Sequence, residues 1–487
     1  MLKLYNSPTK KLEEFVPLHP PKVGLYTCGM TVYDYAHIGH GRKYVGDDVL
    51  RRVLTRFGFE VTHVQNVTDV GHLVSDADEG EDKLEKGAKK VGKTVWEVAE
   101  FFTKNFYDSM DQLVILRPTV ICKATEHIPE QIALIEKLLS KGMAYDTPEA
   151  VYFDVTKFVG YGSLFGQKLE EKNVAVRADV KTGEQKKNPA DFVLWFKRVG
   201  RFEDHVMHWE SPFGDGFPGW HIECSAMAMK YLGDTIDIHT GGIEHTAVHH
   251  PNEIAQSEAA TGKQFVRYWI HHGHLMIDGA KMSKSLGNIV SVDDVVAKGF
   301  DPLALRYFYF TAHYKKPINF TWEALGGAKR ALEELRSAIS NIKYQISNRN
   351  TLSTEKLEKI DTYREKFNEA LGNDLNMPEA LAVTWEAVKS NIPSQDKYDL
   401  VVDFDEILGF NLSKVTSDVQ KNYTAPKSGV PISSNVPLSG PTIVQIDNRE
   451  LARQKGDFTT ADRMRLEINI KDKLTILDTA SGTVVKK

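Results

Sequence analysis

Residues 22–69 read KVGLYTCGMTVYDYAHIGHGRKYVGDDVLRRVLTRFGFEVTHVQNVTD, and their hydrophobic period changes twice. KVGLYTC suits a strand. HGRKYVGDDVLRRVLTRFG repeats apolar positions at helical spacing and ends in Gly58, a C-terminal cap. FEVTHVQNVTD is rich in β-branched residues and returns to a strand. Strand, helix and strand in this order predict a right-handed parallel unit. A second unit is expected downstream, from DTIDIHTGG (234–242) through HPNEIAQSEAATG to VRYWIHHGHLMI (266–277). Together they predict an α/β fold with a doubly wound, Rossmann-like parallel sheet.

Between the two units, residues 150–205 mix strand-like AVYFDV and ADFVLWF with a polar, lysine-rich loop, and read as an insertion. Helical spacing runs from 322 to about 412 and suits a bundle. KNYTAPKSGVPISSNVPLSGPT (421–442) is rich in Pro, Ser and Gly and reads as a flexible linker, with a small charged helical tail beyond it. SDADEGEDKLEKGAKKVGK (75–93) reads as a solvated excursion. The expected divisions are 1–115 and 206–300 for the two halves of the sheet domain and 116–205 for an inserted connective domain. Residues 301–412 would form a further segment and helical bundle, 413–442 a linker, and 443–487 a small C-terminal domain.

A chain of 487 residues is too long for one core. Its 41% hydrophobic and 26% charged residues are ordinary for a globular protein. No apolar run reaches the roughly 18 residues that span a bilayer, and MLKLYNSPTKKLEEF lacks the apolar core of a signal peptide. The expectation is a cytoplasmic protein with no membrane association. Three cysteines, Cys28, Cys122 and Cys224, argue against a disulfide framework. With a net charge of −5, a polyanionic partner would have to use local basic faces.

Two short stretches carry phosphate chemistry. HIGH (37–40) follows a strand and opens a helix, whose first N–H groups and positive dipole end suit phosphate. Gly39 permits close approach, and His37 and His40 can donate to the same phosphates; two ordinary cap histidines would look identical. DGAKMSKSLGN (278–288) holds Lys281 and Lys284 between glycines, either as a loop that neutralises a leaving pyrophosphate or as an exposed basic turn. A third set is Cys28, Cys224, His249 and Glu253. The last two are four apart and share a helix face, so the four could clasp a borderline-soft cation such as zinc. Two buried cysteines and a surface His–Glu pair would explain the same spacing.

HIGH paired with KMSKS resembles the signature of class I aminoacyl-tRNA synthetases. YTCGMTVYDYAHIGH, NVTDVGH, ATEHIPE, GWHIECSAM, HHPNEIAQSEA, KMSKSLGN and RYFYFTAHYKKPINFT narrow the resemblance to cysteinyl-tRNA synthetases, strongly over about 2–325 and weakly to 487. The resemblance implies activation of L-cysteine by ATP, with Mg2+, and transfer from the adenylate to the terminal adenosine of tRNA(Cys). His37, His40, Lys281 and Lys284 would be catalytic, and Gly39, Gly242 and Glu244 would join them in binding ATP. Thr68 and Trp220 would contact cysteine, and Cys28, Cys224, His249 and Glu253 would hold one zinc per monomeric subunit. Zinc would separate cysteine from serine, which an apolar pocket does poorly. Because four protein ligands close a tetrahedral site, substrate sulfur would either expand the shell or displace a ligand.

The resemblance also assigns the connective domain to the acceptor end, the bundle to the stem and the tail to the anticodon. Arg449, Arg453, Arg463 and Arg465 would either bind phosphate or serve as solvated helix charges. TGGIEHTAV (240–248) departs from the family's GGGSDL and Phe-Pro pattern, which puts Glu244 where an Asp is expected, and GTVV replaces a final GTxW. Two other readings share part of the pattern: a ligase passing activated cysteine to a small amine, and a non-catalytic RNA-binding paralogue.

Overall fold

The computed structural model describes the chain except residues 72–81, 83, 86, 89–91, 162–164, 166–184, 284–285, 345–352, 415–420, 425–427, 435–439, 473, 480–481 and 487. A hairpin of β1 (Lys3–Asn6) and β2 (Lys11–Glu14) precedes β3 (Lys22–Thr27), α1 (Ile38–Arg56), β4 (Glu60–Val67), α2 (Val95–Gln112) and β5 (Val120–Lys123). α3 (Ile128–Ser140) leads into β6 (Ala144–Asp146), β7 (Ala150–Phe153), β8 (Phe192–Lys197) and β9 (Gly216–Pro218). α4 (Trp220–Leu232), β10 (Ile236–Gly242), α5 (His249–Thr261) and β11 (Val266–His272) follow.

The expected doubly wound sheet is present. Its five strands are parallel and lie in the order β11-β10-β3-β4-β5. From β3 the chain steps one way to β5, and from β10 it steps the other way to β11. The connections leaving β3 and β10 therefore diverge and leave a crevice at the carboxyl ends of the two strands. All seven residues of β10 are buried, as a strand covered on both faces requires. α1 runs from the cap at His37 to Gly58, whose φ of 89° ends the helix as the sequence predicts.

Two expected boundaries move. β5 lies in the region assigned to the insertion, yet it pairs with β4, Val64 opposite Val120. β9 lies beyond that region and pairs with β8, Trp195 opposite Pro218, in the antiparallel sheet β6-β7-β8-β9. Both strands are only three or four residues long, and their partners are set by long-range pairing that no local pattern reveals. The excursion at 75–93 falls largely outside the described residues, but Asp82, Leu84 and Ala88 within it are buried rather than solvated.

β12 (Leu275–Ile277), β13 (Ala280–Lys281), α6 (Val292–Ala297), α7 (Pro302–Phe310) and β14 (Ile318–Phe320) continue the chain. The expected helical stretch is formed by α8 (Trp322–Tyr344), α9 (Thr354–Gly372), α10 (Met377–Lys389) and α11 (Ser394–Leu408). The chain divides into two compact units: 1–332 with 358–387 and 403–410, and 333–357 with 388–402 and 411–487. The helices are thus shared between the units instead of forming a bundle of their own.

The linker reading of 413–442 is corrected. β15 (Lys421–Thr424) and β16 (Pro431–Ser434) pair with each other, and β16 also pairs with the C-terminal strand. With α12 (Gly440–Gln454), α13 (Phe458–Asp472), β17 (Thr475–Thr479) and β18 (Gly482–Lys486) they make an α+β tail around Ile432, Ile446, Ile468, Ile476 and Val485. Pro431 sits at the first residue of its strand, where a missing N–H is tolerated, so a Pro- and Ser-rich composition still folds.

Arg306 on α7 fastens the first unit. It is fully buried; its guanidinium donates to Asp48 Oδ2 (2.6 Å), Leu408 O (2.6 Å) and Leu113 O (3.1 Å). Arg306→Met removes one of the two guanidinium partners of Asp48, Arg52 remaining at 2.8 Å, and leaves the Leu408 and Leu113 carbonyls without their donor, so a loss of about 1–3 kcal/mol is expected in denaturant unfolding. His63 on β4 approaches Thr27 Oγ1 at 2.9 Å, and burial pushes its imidazole down to about 4. A depressed histidine stays neutral in the folded chain while the unfolded chain takes up the proton, so stability falls as pH drops from about 6.5 towards 4. At pH 5 the loss from this one group is about 2 kcal/mol. His63→Gln should flatten the acid limb of the stability curve by that amount, as measured by unfolding at pH 7.5 and pH 5.

Candidate active site and metal centre

A cleft of about 790 Å³ opens at the carboxyl ends of β3 and β10. His37, Gly39 and His40 line one side, Gly242 and Glu244 another, and Lys281 a third. His37 is the N-cap of α1. Its Nδ1 accepts the His40 N–H (3.2 Å), while His40 Nδ1 accepts the His37 N–H (3.3 Å), and the rings stack at 3.5 Å. This is a reciprocal capping box built from two histidines. The two expected readings of HIGH, cap and phosphate site, are therefore compatible. With Nδ1 occupied as an acceptor, each ring carries its proton on Nε2, which is left as a donor. Burial, helped by the neighbouring Lys43 charge, holds His40 well below the usual imidazole range, so it is a neutral donor. A Cβ on Gly39 would stand 3.0 Å from the His37 ring, so the stacked pair needs glycine between its members.

Lys281 is exposed on β13. Its carbonyl accepts from Asn288 Nδ2 (3.3 Å), and Asn288 Oδ1 accepts the Ser283 N–H (2.9 Å), which closes the turn between the glycines. Lys284 lies outside the described residues. Glu244 is exposed, with Oε2 3.7 Å from His274 Nδ1, and a Cβ on Gly242 would fall 2.1 Å from Glu244 Oε1.

Cys28 is the first residue after β3, Cys224 lies within α4, and His249 opens α5. All three are buried and converge: Cys28 Sγ is 3.9 Å from Cys224 Sγ and 3.7 Å from His249 Nε2. Two thiolates at about 2.3 Å from a tetrahedral zinc stand about 3.8 Å apart, so this spacing fits the metal. Glu253 Oε1 reaches to 2.9 Å from His249 Nε2, and its Oε2 faces His239 Nε2 at 3.0 Å. Glu253 thus stands at the edge of the Cys28–Cys224–His249 group and also belongs to a second buried group with His239 and His250.

The charges follow from the geometry. The Cys224 thiol beside it, followed by His245 and His249, holds Cys28 well below the usual thiol range despite burial. Cys224 is pushed well above that range by Cys28 and by burial. Burial opposes a charge on His249, but the Glu253 carboxylate and Cys28 raise it to about 10. Without metal, the group is therefore a thiolate beside an imidazolium–carboxylate pair, with one net negative charge. A divalent cation bound there would displace protons from both His249 and Cys224.

Trp220 stacks on His249 with ring centroids 4.0 Å apart, which makes it a wall of the metal group. Thr68 is buried and donates to Glu223 Oε2 at 3.0 Å. Cys122 lies elsewhere in the core, its Sγ 3.5 Å from Gln65 O. His271 and His272 point to opposite sides of β11, towards His250 (2.7 Å) and Asp47 (2.9 Å) respectively, as strand alternation predicts. Sequence reasoning missed Lys43 and Tyr44, which also line the cleft. The available signal was spacing, since Lys43 lies three residues beyond His40 on the same face of α1. In the tail, Arg449 is fully buried and binds Asp478 through two hydrogen bonds of 2.9 and 2.7 Å, so it is neither of the two things expected of it.

Residues 14–330 match the family described as tRNA synthetases class I (C) catalytic domain. Solved structures share the fold: methionyl-tRNA synthetase from Mycobacterium tuberculosis with methionyl-adenylate (TM-score 0.54, 15% identity, 82% of this chain and 94% of that one), and LeuRS from Agrobacterium radiobacter K84 in a ternary complex with tRNA and LeuAMS (0.58, 13%, 82% and 86%). The sheet and its crevice are those of a class I aminoacyl-tRNA synthetase. The chain is 42% identical to the cysteine–tRNA ligase of Chlorobaculum tepidum over 100% of its own length and 99% of the relative's. It is 41% identical to that of Treponema denticola over 95% of each, and 44% identical to that of Thermus thermophilus over 78% of each. The chain belongs to the cysteine–tRNA ligase family, and it is a ligase; the small-amine ligase and non-catalytic readings are not favoured. Among the described residues no helix is long and apolar enough to cross a membrane.

Proposed function

We propose that this chain activates L-cysteine with ATP and Mg2+ at the β3/β10 crevice and passes it to tRNA(Cys). The observation that carries the reading is the convergence of Cys28, Cys224 and His249 a few residues from the capped HIGH turn. A zinc ion held by these three, with Glu253 completing the set, would supply a borderline-soft Lewis acid that prefers sulfur to hydroxyl oxygen. The chain's own residues do the rest by positioning and by stabilising charge. The substrate carboxylate attacks the α-phosphorus, forming a P–O bond as the bond to pyrophosphate breaks. The Nε2–H groups of His37 and His40, with the first N–H groups of α1, donate to the phosphates. Lys281 and Lys284 neutralise the leaving pyrophosphate, and Gly242 and Glu244 bound the nucleoside. Thr68 and Trp220 border the amino acid. A terminal hydroxyl of the tRNA then attacks the acyl carbon and AMP leaves.

The same reading takes it as a cytoplasmic enzyme working as a monomer with one zinc per subunit. Of the tail arginines, Arg463 and Arg465 on α13 are the ones that remain for phosphate near the anticodon; Asp478 occupies Arg449 and ion-pairs with Arg453.

The test is ATP–pyrophosphate exchange with cysteine and serine, alongside charging of total tRNA. The parent should exchange with cysteine alone and charge only cysteine-specific tRNA. Removing zinc, by chelation or by Cys224→Ala, should reduce the preference for cysteine to roughly the 10- to 200-fold that an apolar pocket supplies. A zinc-free protein that keeps a preference of several orders of magnitude would refute the metal's role. Exchange without any tRNA charging would refute the transfer.

A further inference from the structure

We propose that Lys43 binds the carboxylate of the amino-acid substrate; this rests on the activation of cysteine argued above. Lys43 lines the cleft, and its side chain is 11% exposed. Its Nζ donates to Cys28 O at 2.6 Å and stands 2.8 Å from Asp47 Oδ2. Asp47 is fixed from the other side by His272 Nε2 at 2.9 Å. The ammonium is thus held in one place by a buried carboxylate that has its own support.

The hydrogen-bond inventory of this corner selects its ligand. Cys28 O also accepts from Tyr44 Oη at 3.2 Å, so both lone pairs of that carbonyl are in use. Lys43 has three N–H bonds, two of which serve Cys28 and Asp47; the ammonium also lies 4.2 Å from the centroid of the Tyr44 ring, and the third N–H is the one a ligand in the cleft would take. A cysteine molecule brings a thiol, an ammonium and a carboxylate. The thiol belongs with the metal group. An arriving ammonium would meet a like charge and a saturated carbonyl, whereas a carboxylate meets a charged donor. Cys28 supplies both a thiol of the metal group and the carbonyl that holds Lys43, so the ammonium and the metal group are tied to the same residue. A carboxylate gripped there is held on the His37 and His40 side of the metal group, where the phosphates would lie.

The experiment compares cysteine with cysteamine, which keeps the thiol and amine but lacks the carboxylate. In Lys43→Met, the KM for cysteine in pyrophosphate exchange should rise roughly 10- to 100-fold, the worth of one hydrogen bond to a charged group, while the KM for ATP and the inhibition constant of cysteamine each move less than about threefold. Equal weakening of cysteine and cysteamine, or an unchanged KM for cysteine, overturns the assignment. Should the variant not fold, the parent decides: cysteamine must bind at least about tenfold more weakly than cysteine, and equal affinity overturns the proposal. A parent that fails to exchange with cysteine sinks the functional reading itself, whereas an active parent with an unaltered cysteine-to-cysteamine ratio in the variant sinks only the role of Lys43.

Discussion

The reversal of strand order between β3 and β10 is the constraint from which the functional architecture follows. Because the chain leaves these neighbours in opposite directions, no connection covers their carboxyl ends, and every group placed there faces a crevice. The sheet also fixes what is placed. Cys28 lies one residue beyond β3, but its N–H still donates to Thr240 O at 3.2 Å, so the parallel ladder continues through it. Its position is therefore set by backbone pairing and not by its side chain. The cap of α1, His37, lies nine residues beyond Cys28 at the same crevice, which brings a helix N-terminus suited to anions next to a thiol.

That placement conflicts with stability. Cys28, Cys224, His239, His249, His250 and Glu253 are all buried. Hydrophobic residues of the same volume would pack without that desolvation cost. The protein keeps the polar set and counters it elsewhere, with a continuous apolar cluster from Val64 and Ile236 on the sheet to Phe153, Phe192 and Trp195 of the inserted sheet.

How much was legible in the sequence follows from the range of each interaction. The doubly wound sheet was readable because periodicity is local and the handedness of strand–helix–strand units is nearly invariant. HIGH, KMSKS and the family words found the cleft. The linker reading failed at Pro431–Ser434, where a single alternation, Ile432 and Ser434 facing in, outweighs a turn-like composition. β5 and β9 were assigned to the wrong domains because their pairings span many residues. Arg449 looked like any helix arginine, since nothing near it in sequence reveals that Asp478 sits against its guanidinium. Spacing alone left the metal set open, and only the folded sheet brings Cys28 beside Cys224 and His249.

The two halves of the nucleotide site are built to different tolerances, and this bears on the departure at Glu244. HIGH is over-determined: two cap bonds, a ring stack and a tightly packed glycine fix the orientation of both imidazoles. The lysine half is an exposed two-residue strand closed by one asparagine, with freedom to follow charge as it moves from substrate to leaving group. Glu244 belongs to the looser half. Its carboxylate, one methylene longer than the expected aspartate, is exposed and faces His274 across 3.7 Å, an imidazole from the turn after β11. A longer arm with a side-chain partner would still present its oxygens to the cleft for the proposed nucleoside contact. At Gly242 an added carbon would displace only the end of that exposed side chain, whereas at Gly39 it would press, at 3.0 Å, on the stacked His37 ring.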